Sequence, residues 1–457
     1  MPDDTPRDEA SDSRDLTEGS VARSLFAMAG PMLIGLISVM SMNVVDTYFV
    51  GQLGTIPLAA MSFSFPIIFF VGGISTGLGA AGASVISRAV GRDDHASARR
   101  LTTHALMLAG ALVVLLLLVG FPFMPSIFRL LGASDQVLPL AMDYMRIWLF
   151  GMLFFVVPVI GTSALRARGD AKTPMFIMLG GTIINLLLDP ALIFGAGPIP
   201  ALGIEGAALA TAIARGIATL VTLSILWTND QMRPVAAGVT ERIGDSWRQL
   251  LRIGAPAAGT NVIAPVTTAI LTRLVSTFGE PAVAAYGAGT RIESLAILVF
   301  YALSSGLSPL VGQNWGADHR DRTRRALVLS EKVAILWGLI TWAIFALGAD
   351  WLAGVFVEGP DAAEHLAHFL IVVPAGHAAQ GVFLVGNATL NAIDRPVQAA
   401  TLSLLRTLVL TAPLAWLASY WFGLPGVFGS IAVANLLVGI AAAATVHHLV
   451  ASAPTGD

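Results

Sequence analysis

The sequence predicts an all-α polytopic membrane protein of twelve transmembrane helices in two parallel six-helix repeats. Three observations predict it. The chain is 55% hydrophobic and only 12% charged, whereas soluble domains are about 25% charged, so it lacks the charge to cover a soluble surface. Its apolar residues fall into stretches near or above the ~20 residues that cross a bilayer. Its second half repeats the first at an offset of 225 residues.

In chain order, the first six spans are expected at 24–49, 57–84, 102–124, 137–163, 174–196 and 202–227. The second six are expected at 249–275, 282–310, 326–348, 363–387, 397–419 and 424–449. Spans above the minimum length tilt or project from the bilayer. One set of connections carries Arg88, Arg92, Arg99, Arg100, Arg166, Arg168, Lys172, Arg233, Arg242, Arg248, Arg320, Arg322, Arg324, Arg325 and Arg395. The other set has few basic residues and contains Glu280, Asp350, Glu358, Asp361 and Glu364. The positive-inside rule makes the first set cytoplasmic, and an even number of spans puts both termini there too.

The acidic opening MPDDTPRDEASDSRD lacks the positive start of a signal peptide and reads as disordered. The expected layout is a disordered cytoplasmic tail over 1–20, a six-helix lobe over 21–227, a cytoplasmic linker over 228–248, a second lobe over 249–449, and a short cytoplasmic tail over 450–457.

The repeat is a series of weak matches with one offset. Pro31 recurs as Pro256, GTIPLAAM at 54–61 as GEPAVAAY at 279–286, and VGRDDHASARR at 90–100 as WGADHRDRTRR at 315–325. Leu165 and Ala167 recur as Leu390 and Ala392. The shared offset argues against chance. Six spans per copy preserve orientation, so an axis roughly normal to the membrane relates the halves. Two such bundles can enclose a cavity and rock about it; a duplicated channel is the competing reading.

Several function classes drop out. The absence of cysteine excludes disulfides, thiolate metal sites and cysteine nucleophiles. No GxxxxGK[ST] loop is present, and no connection is long enough for a nucleotide-hydrolysing module. No nucleophile–base constellation stands out, so an enzyme is not expected. The arginine clusters fit membrane orientation more simply than nucleic-acid binding.

The first half carries Asp46, Asn185, Asp189, Thr211 and Arg215 within apolar segments. Intramembrane ionisable groups face cavities or have partners, and they mark function by default. Asn185 and Asp189 are four apart and share a helical face. Local explanations compete: Asp46 precedes the turn at Gly51 and Gly54, and Asp189 precedes Pro190. At the repeat positions of Asp46 and Asp189 stand Leu271 and Leu414, so the ionisable centre is expected in the first half only. Glu293 is the main acidic residue inside a second-half span, with structural and substrate-cavity roles both open. Met42, Met61, Phe65 and Phe69 are candidates for an adaptable apolar cavity wall, though ordinary packing explains such residues as well.

With these residues in view, the chain resembles the multidrug and toxic-compound extrusion (MATE) family. It is most similar to the branch containing the DNA-damage-inducible and characterised archaeal members. The resemblance covers about 20–448 and rests on Pro31 with VDTYFVGQLG, the glycine-rich second segment, ALRARGDAKTPM, INLLLDPALIFG and GIEGAALAT. It implies a V-shaped, two-lobed transporter of the prokaryotic cytoplasmic membrane. Such proteins exchange H+ or Na+ for organic, here cationic or amphipathic, substrates, with no other cofactor. It assigns helix bending to Pro31, proton-dependent rearrangement to Asp46, and a cation centre to Asn185, Asp189 and Thr211, which are the candidate Na+ ligands. The implied partners are small organic substrates and membrane lipid, not nucleic acid, and a monomer is expected. Export of a lipid-linked precursor or a single metabolite by a related two-lobed protein is the alternative.

Overall fold

The computed structural model describes residues 15–229 and 241–452, almost all of them helical. In order the helices are α1 (Val21–Gln52), α2 (Thr55–Gly91), α3 (His95–Leu130), α4 (Val137–Phe150), α5 (Met152–Ala167), α6 (Lys172–Ile193), α7 (Ile204–Thr228) and α8 (Ile243–Val275). There follow α9 (Glu280–Gly316), α10 (Arg320–Leu347), α11 (Ala349–Phe356), α12 (Pro360–Val372), α13 (His377–Ala392), α14 (Pro396–Leu404) and α15 (Ala412–Ala451).

Among the described residues, ten helical runs are long and apolar enough to cross a bilayer, and α4 with α5, bent by 43°, makes an eleventh. The expectation of twelve differs at the end of the chain. The spans expected at 397–419 and 424–449 form one run, Pro396–Ala451, of 56 residues. A straight helix of that length would measure ~84 Å against a hydrocarbon core of ~30 Å. Gly423 breaks it, with φ 61° and ψ −146°, a conformation that glycine adopts without a Cβ penalty.

The duplication is visible in the backbone. Left-handed residues recur at the same offset: Gly54 (φ 114°) with Gly279 (99°), Asp93 (60°) with Asp318 (59°), and Gly169 (88°) with Asp394 (63°). Each pair turns the chain between equivalent helices. The buried apolar residues of α2–α7, including Ile86, Phe128, Trp148 and Ile160, form one core. Those of the second half, including Phe300, Phe383, Phe369 and Phe428, form two others.

Helix α1 belongs to neither half alone. Val50, near its end, joins the first core, while Leu25, Met28 and Met32 pack into the second half's apolar cluster. Pro31 lies within the second-half attachment, next to Met32, and the helix runs continuously through it.

The halves meet where α2 packs on α8 and α9. A Cβ on Gly77 would stand 2.5 Å from the Ala258 amide nitrogen and 2.8 Å from the Gly254 carbonyl oxygen. At the arginine-rich end the contact is reciprocal. Arg88 Nη1 donates to the Ala392 carbonyl at 3.0 Å, and Gln313 Nε2 donates to the Ala167 carbonyl at 2.8 Å. Arg88 and Gln313 are repeat mates, as are Ala167 and Ala392. Gly91 lies on the Gln313 carbonyl and Gly316 on the Arg88 carbonyl, each too close to accept a Cβ. The two halves are therefore shut against each other at this end.

Of the expected tail over 1–20, residues 1–14 lie outside the described residues. The rest is not free: Leu16 is 1% exposed. Of the expected linker over 228–248, residues 230–240 lie outside the described residues, and α8 already begins at Ile243.

Overpacking a filled core costs ~1–3 kcal/mol, so Gly77→Val is expected to lower the thermal-unfolding temperature in detergent. Gly72→Val is the control, because nothing lies within 4 Å of a Cβ there. Equal unfolding temperatures for the two variants would contradict the α2–α8 contact.

Candidate ion-coupling site

Three helices bring four polar side chains together inside the first half. The helical repeat stacks Asn185 and Asp189 on one face of α6. Pro190 has no amide proton to give the carbonyl one turn back, yet α6 continues to Ile193. Gly206 lets α7 approach so closely that a Cβ would collide with the Leu192 carbonyl, and this brings Thr211 level with Asn185. Gly35 of α1 faces α6, where a Cβ would meet the movable Met178 side chain. Asp46, roughly three turns further on, then faces α7.

The side chains form a chain of contacts. Asn185 Nδ2 donates to Asp189 Oδ1 at 3.3 Å and to Thr211 Oγ1 at 3.3 Å. Thr211 Oγ1 donates to Asp46 Oδ2 at 3.5 Å. All four residues are buried, Asn185 and Asp189 completely. Three oxygens, Asp46 Oδ1, Asn185 Oδ1 and Asp189 Oδ2, find no hydrogen-bond donor among the described residues. Such orphaned acceptors cost ~1–3 kcal/mol each unless something satisfies them.

The charge arrangement explains what could. Asp46 and Asp189 interact with each other, and two carboxylates in a dry site do not both stay charged without compensation. Arg215 and Tyr144 lie within electrostatic reach of Asp46. The Arg215 guanidinium stacks 4.6 Å over Phe155 and 5.8 Å from Trp148. One arginine offsets one carboxylate; the other calls for a proton or a cation. Among the described residues no group of three or more His, Cys, Asp or Glu stands together. Two carboxylates, an amide and a hydroxyl form a set of hard oxygen donors, suited to H+ or Na+ rather than to a soft metal.

The other expected residues lie apart from this cluster. Pro31 sits in α1 toward the opposite end from Asp46. Met42 is half-buried, and Phe65 and Phe69 pair with ring centroids 6.1 Å apart, Phe69 being exposed. Met61 is buried in the first core, where its position on α2 faces the other first-half helices. Glu293 belongs to the second half, where its Oε1 lies 3.3 Å from His377 Nε2. His377 Nδ1 in turn lies 3.2 Å from Thr341 Oγ1. His377 was not among the expected site residues, although an ionisable side chain inside the apolar stretch 363–387 was an available signal. Tyr144 carried no such signal, since a tyrosine in a membrane helix is ordinary.

A profile of the family described as MatE matches residues 31–191 and 256–417. The chain belongs to the MatE family. The two matches begin on Pro31 and Pro256, the first pair of the internal repeat. A FAD transporter from Shewanella oneidensis is 36% identical over 430 residues, covering 94% of this chain and 95% of that protein. The multidrug export protein MepA of Staphylococcus aureus is 25% identical over 433 residues, covering 94% of both. A crystal structure of a point mutant of the Vibrio cholerae MATE transporter VcmN superposes with a TM-score of 0.91 at 30% identity, covering 95% of this chain and 98% of that one. VcmN in a bent form gives a TM-score of 0.90, again at 30% identity, covering 94% and 97% of the two chains. This member of the MatE family is a secondary transporter, not an enzyme.

Thr211→Val removes the hydroxyl that links Asn185 to Asp46 at nearly constant volume. If the cluster holds an ion, that ion raises the thermal stability of the wild type by mass action. The variant is expected to bind it ~5–10-fold more weakly, the equivalent of about one hydrogen bond. Melting curves across Na+ concentration and across pH check this; an unchanged ion dependence would exclude Thr211 from the site.

Proposed function

We propose that this protein exports small organic compounds in exchange for H+ or Na+ by alternating access, with Asp46, Asn185, Asp189 and Thr211 as the coupling site. The observation that carries this reading is the buried first-half cluster with its three unsatisfied oxygens. Its repeat positions hold Leu271 and Leu414, so only one lobe carries it. The same four residues support membership of the DNA-damage-inducible and archaeal-like branch. Counting the break at Gly423 as a boundary gives twelve spans, two six-helix lobes, and both termini on one side. The positive-inside rule assigns the arginine-rich end to the cytoplasm of a bacterial inner membrane. The reciprocal contacts there support a cavity closed on the inside, and hence an outward-facing state.

In the proposed cycle, an ion arriving from outside neutralises the second carboxylate. Its loss of charge lowers the cost of a drier, repacked site. Helix α1, held by both lobes, bends near Pro31 as it repacks, and the cavity releases substrate outward before turning in. Release of the ion to the cytoplasm restores the charged cluster. One elementary charge moving inward supplies ~2.3 kcal/mol per 100 mV. A one-for-one exchange of H+ for a monovalent organic cation would forfeit that term, so substrate charge bears on the drive. Met42, Phe65, Phe69 and Glu293 are proposed cavity contacts, and a monomer suffices for the cycle.

A single-metabolite exporter is the second reading. It is favoured by the higher identity to the FAD transporter, 36%, than to the multidrug exporter MepA, 25%. A flavin nucleotide is then the substrate to test beside an organic cation.

The test is flux into or out of proteoliposomes with H+ and Na+ gradients imposed separately. Asp189→Asn is expected to reduce gradient-driven flux at least ~10-fold, the effect of losing about 1.4 kcal/mol of coupling, while the protein still elutes as a folded species. Full gradient-driven turnover by the variant would remove Asp189 from the mechanism. Saturable flux of FAD with no flux of the organic cation would select the second reading.

A further inference from the structure

We infer that residues 15–20 act as a latch that holds the arginine-rich ends of the two lobes together. It fills the half of the interface where the repeat puts uncharged residues in place of an ion pair. This rests on the alternating-access reading above.

The interface is reciprocal in its backbone contacts but not in its charges. On one side Arg88, besides its bond to the Ala392 carbonyl, pairs with Asp394 at 3.5 Å, and Arg252 approaches the same carboxylate at 3.8 Å. On the other side the repeat replaces Arg88 with uncharged Gln313 and Asp394 with Gly169. No side chain at position 169 can bond to residue 313.

Leu16 occupies that gap. Its amide donates to Gln313 Oε1 at 3.0 Å, and its carbonyl accepts from Asn314 Nδ2 at 3.0 Å. The other end of the Gln313 amide is the group that reaches the Ala167 carbonyl. One side chain thus links the N-terminal segment to the first lobe through the second. Arg322 fixes the segment from below, donating from Nε and Nη2 to the Leu16 carbonyl, each at 3.2 Å, from Nη1 to the Gly19 carbonyl at 2.6 Å, and to the Glu18 carbonyl. The Leu16 side chain is buried in an apolar cluster with Ala171 of the first half and Val311 and Ala326 of the second.

The segment leads directly into α1 at Val21, and the first turns of α1 lie in the same cluster. Separation of the lobes here breaks the Gln313–Ala167 bond and uncovers Leu16. The latch therefore adds stability to the closed arrangement of this end and resists its opening. It also joins this end to the helix that carries Asp46.

The absence of cysteine makes a direct test simple. Ala96→Cys and Asp321→Cys introduce spin labels at exposed, repeat-related positions on the two lobes. Their distance distribution is measured by double electron–electron resonance on the full chain in lipid nanodiscs. Leu16→Gly, which removes the seated apolar side chain, and Arg322→Ala, which removes charged hydrogen bonds to the segment, are each expected to shift the ratio of long to short distances about tenfold toward long. Arg322→Lys, which keeps the charge but not the fork, is expected to fall between. Arg324→Ala, exposed on the same helix, is the control expected to match wild type. If Leu16→Gly fails to fold, the two Arg322 variants decide alone. Distance distributions in the variants identical to wild type would overturn the latch. A single wild-type distance under every H+ and Na+ condition would overturn alternating access instead. The latch is then still decided by whether the Arg322 variants broaden that one distance.

Discussion

The candidate site depends on keeping two carboxylates, Asp46 and Asp189, out of water. Each sits on a helix that must otherwise be apolar to lie in a bilayer. Neither is tolerable there without neighbours that share its charge or satisfy its oxygens. The fold supplies a partial answer: an amide, a hydroxyl and, nearby, one arginine. The answer stops short by three acceptor atoms. A site completed by the protein alone would have no reason to respond to an ion, so the shortfall is what makes the cluster a candidate sensor.

Asymmetry is the second constraint. Duplication gave both halves the same turns, down to the left-handed residues at equivalent positions. The halves nonetheless differ in the polar groups they bury. The first half keeps the acidic cluster. The second half buries Leu271 in its core at the matching place and carries a different polar group, Glu293 with His377 and Thr341. The interface between the halves shows the same pattern on a smaller scale: common backbone contacts with dissimilar charges.

Much of this was legible in the residues. Apolar runs marked the membrane segments, because the bilayer imposes length and hydropathy together. The offset of 225 residues located the second lobe, and the four-residue spacing of Asn185 and Asp189 predicted their shared face. Thr211 and Asp46 also proved to be neighbours of that pair, though they come from distant segments, and the place of Thr211 depends on close approach at Gly206. Other features were hidden for physical reasons. An acidic, polar opening segment looks free because composition reports average solvation, and it does not register one leucine seated in a crevice made by side chains from the far half of the chain. The place of Met61 in the first core was not legible either, because a methionine in a membrane helix fits lipid, core and cavity equally well. The fusion of the last two spans into one helical run was invisible because a single glycine can turn a helix without a loop.

Helix α1 acts as a shaft clamped at both ends by different bodies. Its first turns are held by the second lobe and its last turn by the first. Each residue of an α-helix advances its angular position by about 100°. The angular phase between the two clamps, and hence the direction in which Asp46 points, is therefore set by the number of residues separating them. A bend at Pro31, as proposed, would change the angle of the shaft but preserve that phase only if the turns on either side kept their hydrogen bonds. The spacing between the clamps, together with Asp46 itself, is thus what this helix must carry unchanged between the lobes.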